Sequence, residues 1–402
     1  MKIVTLSNYP VRTPIHGGQR RLDAIIRVLR RAGHQVSDIP LFFSSHYPQH
    51  DAAEARTAVE PAVELEVARR RLAPDVHLHR PLDAESTALQ AAAARIAEFK
   101  PDVLHFEQPW LMPLLDRLIA RLPDGHRVFV VYGSQNIETE LASGPFTDEV
   151  ARIESDAVRR ADMVVAVSDA DATHLARLAP ANRRPKIAVA PNASWPPDPD
   201  ATHPRIVEGD YVMMVGSYHA PNAEGFWKVI GEVPGCIPPD GKLVVAGRVC
   251  DLLAQDPRMG RFHRLRGDLV RFVGQVDDAT LAALLAHAKG LLLPIVSGGG
   301  TNLKTAEALL SLKPVVGMRG AFRGYENATG LSGVAVADTP EEFRAAVRDI
   351  FSGTLTSARR PEDVEKYTWS ATLAALPAAY EALVADRVAP RWKDDGHEAT
   401  VR

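Results

Sequence analysis

Residues 291–310 read LLLPIVSGGGTNLKTAEALL. The apolar run at the start predicts a buried strand, and the Ala- and Leu-rich run at the end predicts a helix. Three glycines, Gly298, Gly299 and Gly300, therefore lie at a strand-to-helix turn. Glycine allows close approach of a ligand and backbone angles that other residues avoid. Either Thr301 or Asn302 is suited to cap the helix that follows.

The start of this helix is suited to a phosphate, because free N–H groups and the positive end of the helix dipole attract an anion. Lys304 adds a positive charge, and Glu307, one turn further on, is able to accept hydrogen bonds from a ribose. The stretch is neither a Walker loop nor a GxGxxG fingerprint. A plain turn with an N-cap remains the alternative interpretation.

A second glycine loop lies near the N-terminus. Residues 2–6 predict a short buried strand, and Gly17 and Gly18 then open a helix that has its apolar residues on one side. Alone, this loop is equally well explained as an ordinary turn. Taken together, the two loops predict two helix N-termini that face one cleft and hold one diphosphate from both sides.

The same order of strand, loop and helix recurs along the chain and predicts parallel sheets. Strands are expected at 2–6, 35–39, 103–106, 127–132, 163–167, 187–190, 211–215, 242–246, 270–273, 291–295, 314–316 and 334–336. The Pro- and Asp-rich segment 194–200 indicates a linker, and a last helix is expected over 369–384. We therefore predict two doubly wound α/β domains that face each other across a cleft, with ligands at the carboxyl ends of the strands.

Composition excludes several classes of protein. The 402 residues include 47 Lys plus Arg and 50 Asp plus Glu, a net charge of −3 that gives no global electrostatic case for binding nucleic acid. Two cysteines, Cys236 and Cys250, are too few for a disulfide framework. No run approaches the ~18 apolar residues that cross a bilayer, and the apolar start is too short for a signal peptide. We expect a cytoplasmic protein. Arginines in the first helix and at 69–71 leave peripheral binding to the inner face of the membrane open.

Several motifs, each weak alone, occur in a specific order and spacing. They are Gly17-Gly18, PDVLH at 101–105, ADMVVAVS at 161–168, VAPN at 189–192, VGS at 215–217, VAGR at 245–248, FVG at 272–274, and GGGTNLKTAEAL at 298–309 followed by KPVV at 313–316. Over most of the chain, this order resembles the GT-B glycosyltransferases of the retaining family 4 (group 1) type. The resemblance implies a Rossmann-like acceptor-binding domain over 1–195, a Rossmann-like donor-binding domain over 205–365, and a crossover helix within 366–390 that packs on the N-terminal domain.

The resemblance also implies an activity. A hexosyltransferase-like enzyme of this type moves a sugar from a UDP-, GDP- or dTDP-sugar to an acceptor hydroxyl with retention of configuration. The nucleotide sugar is a substrate, so no permanently bound cofactor is expected, and the acceptor stays open between a glycan, a lipid-linked molecule and a small molecule. The segment SYHAPN at 217–222 looks like a subgroup active on bacterial polysaccharides or related glycoconjugates. By position, the donor would contact Gly17, Gly18, Ser217, Arg248, Gly274, Gly299, Gly300, Thr301, Asn302, Leu303 and Glu307.

This sequence departs from the family pattern at four positions. Gly299 stands where the first glutamate of the E-x7-E motif is expected, with Glu307 as the second, and Ser217 and Asn302 each replace an arginine. In the N-terminal domain, relatives often carry a histidine at the position of Gln135, and an amide does not exchange a proton near neutral pH.

Three residues remain as candidates for catalysis. His105 occupies a strand end where relatives carry a histidine, Glu107 is suited to acceptor hydroxyls, and Lys304 is suited to neutralise the diphosphate. Departure of a nucleoside diphosphate requires N–H groups and cations rather than a nucleophile. Since the sequence has no HExxH and no Asp-x-Asp at a strand end, we predict no metal requirement. A sugar- or nucleotide-binding protein without turnover and a GT-B sugar-nucleotide epimerase remain alternatives.

Overall fold

A computed structural model describes residues 1–83, 85–198, 200–266, 268–297 and 301–385. Its strands are β1 (Lys2–Ser7), β2 (Gln35–Pro40), β3 (Phe42–Phe43), β4 (Ala58–Val59), β5 (Val103–Glu107), β6 (Phe129–Gly133), β7 (Met163–Ala166), β8 (Lys186–Val189), β9 (Asp210–Val215), β10 (Gly241–Ala246), β11 (Val270–Gly274), β12 (Gly290–Leu293), β13 (Val315–Met318) and β14 (Val334–Ala337). Each strand expected from the sequence is present, with ends that differ by at most two residues.

The helices connect these strands. They are α1 (Gly17–Arg31), α2 (Pro61–Arg69), α3 (Pro74–His77), α4 (Thr87–Phe99), α5 (Leu115–Ile119), α6 (Glu138–Leu141), α7 (Thr147–Arg160), α8 (Asp169–Leu178), α9 (Ala220–Gly225), α10 (Val249–Gln255), α11 (Met259–Arg266), α12 (Asp278–His287), α13 (Leu303–Leu310), α14 (Pro340–Ser352), α15 (Pro361–Val364), α16 (Trp369–Thr372) and α17 (Leu376–Ala385). A π-helical turn, Phe226–Ile230, follows α9, and 3₁₀ turns lie at Ser44–His46, Glu54–Thr57, Met112–Leu114, Arg319–Phe322, Glu326–Ala328 and Glu365–Tyr367.

The described strands form two six-stranded parallel sheets, one in each half of the chain, and β3 pairs with β4 in a small two-stranded sheet. The N-terminal sheet has the order β2-β1-β5-β6-β7-β8, and the C-terminal sheet has the order β11-β10-β9-β12-β13-β14. A parallel sheet is stable only when helices cover both faces, which explains why its strands are continuous apolar runs. Residues 163–166, for example, are all buried. The strand order reverses at β1 and at β9, so a crevice opens at the carboxyl end of each sheet.

The end of the described chain returns to the N-terminal domain. The side chains of Trp369, Leu376, Tyr380 and Leu383 pack in one apolar cluster with Ile25 and other residues of α1 and the N-terminal sheet. The helix expected over 369–384 is broken into α16 and α17, so that expectation of one continuous helix was wrong. Pro377 lacks the N–H that would bond to the carbonyl group of Leu373, and its ring clashes there, so the helix restarts.

The segment that leaves the N-terminal domain at Ser194 lies beside the segment 367–369 that returns to it. The amide N–H of Trp369 donates to the carbonyl of Ser194 at 3.1 Å, and that of Ser194 donates to the carbonyl of Tyr367 at 3.2 Å. The predicted linker is therefore paired at its start with the returning chain. In the described part of the molecule, no helix is long and apolar enough to cross a bilayer.

Candidate active site in the interdomain cleft

The helix of the glycine-rich stretch begins where the sequence predicts. Asn302 holds the N-cap position of α13, but its side chain makes no capping hydrogen bond. The first turn of α13 is thus left without a side-chain cap. Thr301 is buried, and its carbonyl oxygen accepts a hydrogen bond of 3.1 Å from the side-chain amide of Asn192 in the other domain. Gly298, Gly299 and Gly300 lie outside the described residues.

Three polar residues, Lys304, Asn222 and Ser217, are joined by hydrogen bonds beside this turn. The ammonium group of Lys304 donates to Asn222 Oδ1 at 2.5 Å, and Asn222 Nδ2 donates to the carbonyl oxygen of Ser217 at 3.0 Å. Burial lowers the pKa of Lys304 to about 8. Ser217 and Lys304, predicted separately, are therefore joined through Asn222, a residue within the quoted SYHAPN motif that the sequence did not single out as a site residue.

Glu307 faces the other domain. Its Oε1 lies 3.6 Å from Arg20 Nη1 on α1, and Arg20 Nη2 lies 3.3 Å from Asp278 at the start of α12. Burial raises the pKa of Glu307, and the charge of Arg20 opposes that shift. The loops also approach each other directly, since a Cβ atom built on Gly17 would lie 3.5 Å from Leu303 Cδ1. The starts of α1 and α13 thus oppose each other across the cleft.

Two of the predicted donor contacts, Arg248 and Gly274, lie at the carboxyl ends of β10 and β11. Arg248 is half-exposed, its guanidinium lies 5.0 Å from the centre of the Tyr218 ring, and its Nε lies 3.5 Å from Asp251. The amide of Gly247 donates to the carbonyl of Gly274 at 2.6 Å. Gly247 has φ +92°, and a Cβ there would lie 2.2 Å from the carbonyl oxygen of Gly216. Only a glycine at position 247 therefore permits the loops after β9 and β10 to approach so closely.

His105 and Glu107 belong to a fully buried network under the N-terminal side of the cleft. His105 Nε2 lies 2.6 Å from Glu107 Oε2, and its Nδ1 bonds to the Tyr380 hydroxyl group of α17. Glu107 Oε1 accepts a 2.9 Å hydrogen bond from Gln135 Nε2 and lies 3.5 Å from Arg21 Nε. Burial alone would raise the pKa of Glu107, but the hydrogen bond from His105 and the charge of Arg21 hold it below its usual range.

This burial corrects two expectations. Glu107 was expected to bind acceptor hydroxyls, yet its carboxylate is closed off and its oxygens are already bonded to His105 and Gln135. Arg21 was grouped with the charged residues on the surface of the first helix, but it is 1% exposed. Its Nη1 donates to the carbonyl of Ala190 at 2.8 Å and to Asn192 Oδ1 at 3.2 Å.

Gln135 is the member of this network that reaches the cleft. Its Nε2 donates to Glu107 and, at 2.6 Å, to the Tyr9 hydroxyl. An ionised carboxylate only accepts hydrogen bonds, so the amide nitrogen must face Glu107 and the amide oxygen must face away. A Cβ atom built on Gly18 would lie 2.7 Å from that oxygen, which means that the oxygen points to the glycine loop of α1.

Two parallel-sheet domains with opposed loops and a returning C-terminal helix define the GT-B class of protein. Among solved structures, the chain is similar to sucrose-phosphate synthase from Thermosynechococcus elongatus (TM-score 0.69, 16% identity, 96% of this chain and 100% of that one). It is also similar to Anabaena HepE in complex with UDP and glucose (TM-score 0.64, 14% identity, 95% of this chain and 100% of that one). These likenesses show the GT-B fold.

The sequence comparisons give a family match over part of the chain. Residues 15–193 match the model of Glycosyltransferase Family 4. A phosphatidyl-myo-inositol mannosyltransferase of Mycolicibacterium smegmatis is 27% identical over 382 residues, which are 91% of this chain and 90% of that one. The partial family match, the mannosyltransferase relative and the GT-B neighbours support a GT-B glycosyltransferase of the family 4 type, as the motifs indicated.

Proposed function

We propose that the chain transfers a sugar from a nucleoside-diphosphate sugar to an acceptor hydroxyl, with retention of anomeric configuration and without a metal ion. The carrying observation is that Glu307 on α13 lies 3.6 Å from Arg20 on α1 across the cleft, one turn beyond Lys304 at the uncapped start of α13. A mannosyltransferase relative and the UDP–glucose complex of a structural neighbour support a nucleotide-sugar donor.

The diphosphate binds at the start of α13. Charge builds on the leaving phosphate as the glycosidic bond breaks, and the main task of the protein is to stabilise that charge. Uncapped amides of the first turn and the Lys304 ammonium supply the positive field. Glu307 accepts hydrogen bonds from the ribose, and Arg20 holds its carboxylate in place.

The N-terminal side orients the substrates and does not exchange protons with them. Gln135 presents its oxygen to the cleft, where it accepts a hydrogen bond from a substrate hydroxyl, and Glu107 and His105 fix that orientation from below. Since an amide does not take a proton, the proton of the attacking hydroxyl goes to the departing phosphate. His105 and Glu107 are thus positioning residues.

The test is the affinity of the full chain for its donor. A thermal-shift screen with UDP-, GDP- and dTDP-sugars selects the nucleotide, and calorimetry then compares the wild type with Glu307→Ala. A hydrogen bond to a charged group contributes about 1.5–3 kcal/mol, so we expect binding to weaken about 10- to 150-fold. Glu341→Ala, on the exposed first turn of α14, is the matched control and leaves the affinity unchanged.

Two further readouts complete the test. The anomeric configuration of the product, read from its NMR coupling constants, decides between retention and inversion. Turnover in the presence of EDTA is expected to equal turnover without it. An unchanged donor affinity in Glu307→Ala would contradict the proposed site, and product of inverted configuration would contradict the proposed stereochemistry.

A further inference from the structure

Asn192 is the last residue of the VAPN motif and lies after β8, at the boundary between the two domains. It is 4% exposed. Its Nδ2 donates to the carbonyl oxygen of Thr301 in the C-terminal domain at 3.1 Å, and its Oδ1 accepts from Arg21 Nη1 at 3.2 Å. Its main-chain carbonyl oxygen accepts from the Tyr325 hydroxyl at 2.8 Å. Asn192 therefore joins the buried network of the N-terminal domain to the donor side of the cleft.

The orientation of the Asn192 amide follows from its two partners. A guanidinium group only donates hydrogen bonds, and a carbonyl oxygen only accepts them. The amide oxygen must therefore face Arg21 and the amide nitrogen must face Thr301. Arg21 is itself held by the carbonyl oxygen of Ala190 at 2.8 Å and lies 3.5 Å from Glu107. The buried network thus sets the direction in which Asn192 donates.

This hydrogen bond also determines the direction of one peptide unit in the donor loop. The peptide between Thr301 and Asn302 is trans and planar, so its carbonyl group and its N–H point in opposite directions. Asn302 is the N-cap of α13, and its N–H is one of the helix-start amides that have no partner within the helix. A flip of this peptide would break the bond to Asn192 and reverse the direction of that N–H.

Other contacts hold α13 within its own domain. The Thr305 hydroxyl donates to the carbonyl oxygen of Ala321 at 2.6 Å. The side chain of Thr301 is buried beside Gly324, where an added Cβ atom would lie 2.2 Å from Thr301 Cγ2. These contacts involve side chains of the loop and helix. The bond from Asn192 instead acts on the main chain at the helix start, where an anion would bind.

We propose that Asn192 is a positioning residue of the donor site. Held by Arg21, it fixes the carbonyl group of Thr301 and thereby keeps the Asn302 N–H directed at the diphosphate. This inference rests on the proposed function, because it assumes that the diphosphate binds at the start of α13. It adds that the N-terminal domain contributes to diphosphate binding through a residue that does not touch the ligand.

Two probes of the full chain, measured by calorimetry and saturation-transfer NMR, test this proposal. The first is UDP, GDP or dTDP, whichever the thermal-shift screen selects, and the second is the corresponding nucleoside, which lacks the diphosphate. Asn192→Leu is neutral and removes both hydrogen bonds of the side chain. Asn192→Asp keeps an acceptor for Arg21, but its carboxylate does not donate to Thr301.

Both variants should weaken binding of the nucleoside diphosphate at least fivefold, because an N–H contact to a charged group is lost. Binding of the nucleoside should change less than twofold, since its contacts do not involve that N–H. Asn327→Leu and Asn327→Asp, at an exposed asparagine of the C-terminal domain, are the matched controls and should leave both affinities unchanged. Glu307→Ala, by contrast, should weaken both probes, because it removes a contact to the ribose.

The possible failures are distinguishable. A wild-type chain that binds neither probe would defeat the proposed function. Normal binding of the diphosphate in both Asn192 variants would overturn this inference alone. A loss in Asn192→Asp only would be repulsion by the added charge, a loss in Asn192→Leu only would come from a displaced Arg21, and an equal loss for nucleoside and diphosphate would be a general structural effect; each of these would also overturn it. Asn192→Ala, which is neutral and has no donor, replaces Asn192→Leu if that variant does not fold.

Discussion

The two sides of the cleft use charge differently. On the donor side, Arg20 and Glu307 keep 35% and 27% of their side chains exposed and lie 3.6 Å apart. On the other side, Arg21 and Glu107 are closed off at 1% and 0% and lie 3.5 Å apart. Two neighbouring arginines of one helix therefore pair with two glutamates at nearly the same distance but in opposite environments. The partly exposed pair keeps surface that a ligand can reach, whereas the fully buried pair is closed to a ligand.

Replacing Arg21 should have the largest effect. Arg21→Met leaves the Glu107 carboxylate buried without its cation, and breaking a buried pair costs about 3–5 kcal/mol. We expect that loss in the free energy of unfolding, measured by urea denaturation. The matched control is Arg27→Met on the same helix, where the exposed pair with Asp23 contributes at most about 0.5 kcal/mol. A loss below 1 kcal/mol for Arg21→Met would remove the contrast between the two pairs.

Replacing Lys304 should affect the donor and leave the fold intact. Lys304→Met removes a charged contact to the diphosphate that contributes about 1.5–3 kcal/mol, so donor affinity at pH 7 should fall about 10- to 150-fold in calorimetry. Lys228→Met, an exposed lysine paired with Glu224, is the control. Normal donor affinity in Lys304→Met would show that the ammonium group of Lys304 keeps its contact with Asn222 and does not bind the diphosphate.

The same lysine predicts a pH dependence. Burial lowers the pKa of Lys304 from 10.5 to about 8, so the free protein holds this lysine charged below pH 8 and neutral above it. A bound diphosphate favours the charged form. Donor affinity should therefore be highest below pH 8 and fall as the pH rises to 9, and Lys304→Met should flatten this fall. An equal decline in both proteins would assign the titration to another group.

The start of α13 is easier to predict from the sequence than the buried network of His105 and Arg21. The first depends on neighbouring residues, whereas the second depends on contacts between residues far apart in the chain. The strands and the start of α13 follow from local patterns, such as the apolar run at 291–293 and the glycines after it. The bond from His105 to Tyr380 joins residues 275 positions apart, and nothing in either segment indicates it. The burial of Arg21 likewise depends on Ala190 and Asn192, which belong to another loop. By contrast, the break before α17 was predictable, since Pro377 stands in the expected helix.

Replacing Tyr380, the partner of His105 in the buried network, should reduce the free energy of unfolding less than replacing Arg21 does. His105 Nδ1 is buried, and its partner is the Tyr380 hydroxyl group. Tyr380→Phe leaves Nδ1 buried without that partner, and we expect a loss of about 1–3 kcal/mol in the free energy of unfolding. Tyr218→Phe, at an exposed position, is the control. A loss in Tyr380→Phe no larger than that in Tyr218→Phe would contradict the stabilising role of this hydrogen bond.

The smallest effect on donor binding belongs to Arg248, which is 46% exposed. Its contact with Tyr218 contributes about 0.5–1 kcal/mol at an exposed site, so Arg248→Ala should weaken donor binding about two- to fivefold if the guanidinium transfers that contact to the base or phosphate.

High salt should distinguish the contribution of Arg248 to donor binding from that of Lys304. The side chain of Arg248 is 46% exposed, and 1 M salt shortens the Debye length to about 3 Å, so the effect of Arg248→Ala should vanish in high salt. The effect of Lys304→Met should persist, because a partly buried contact is screened much less. A loss of more than tenfold in Arg248→Ala that also survives high salt would mean that Arg248 leaves Tyr218 and becomes buried against the donor, and the donor side would then hold two committed cations.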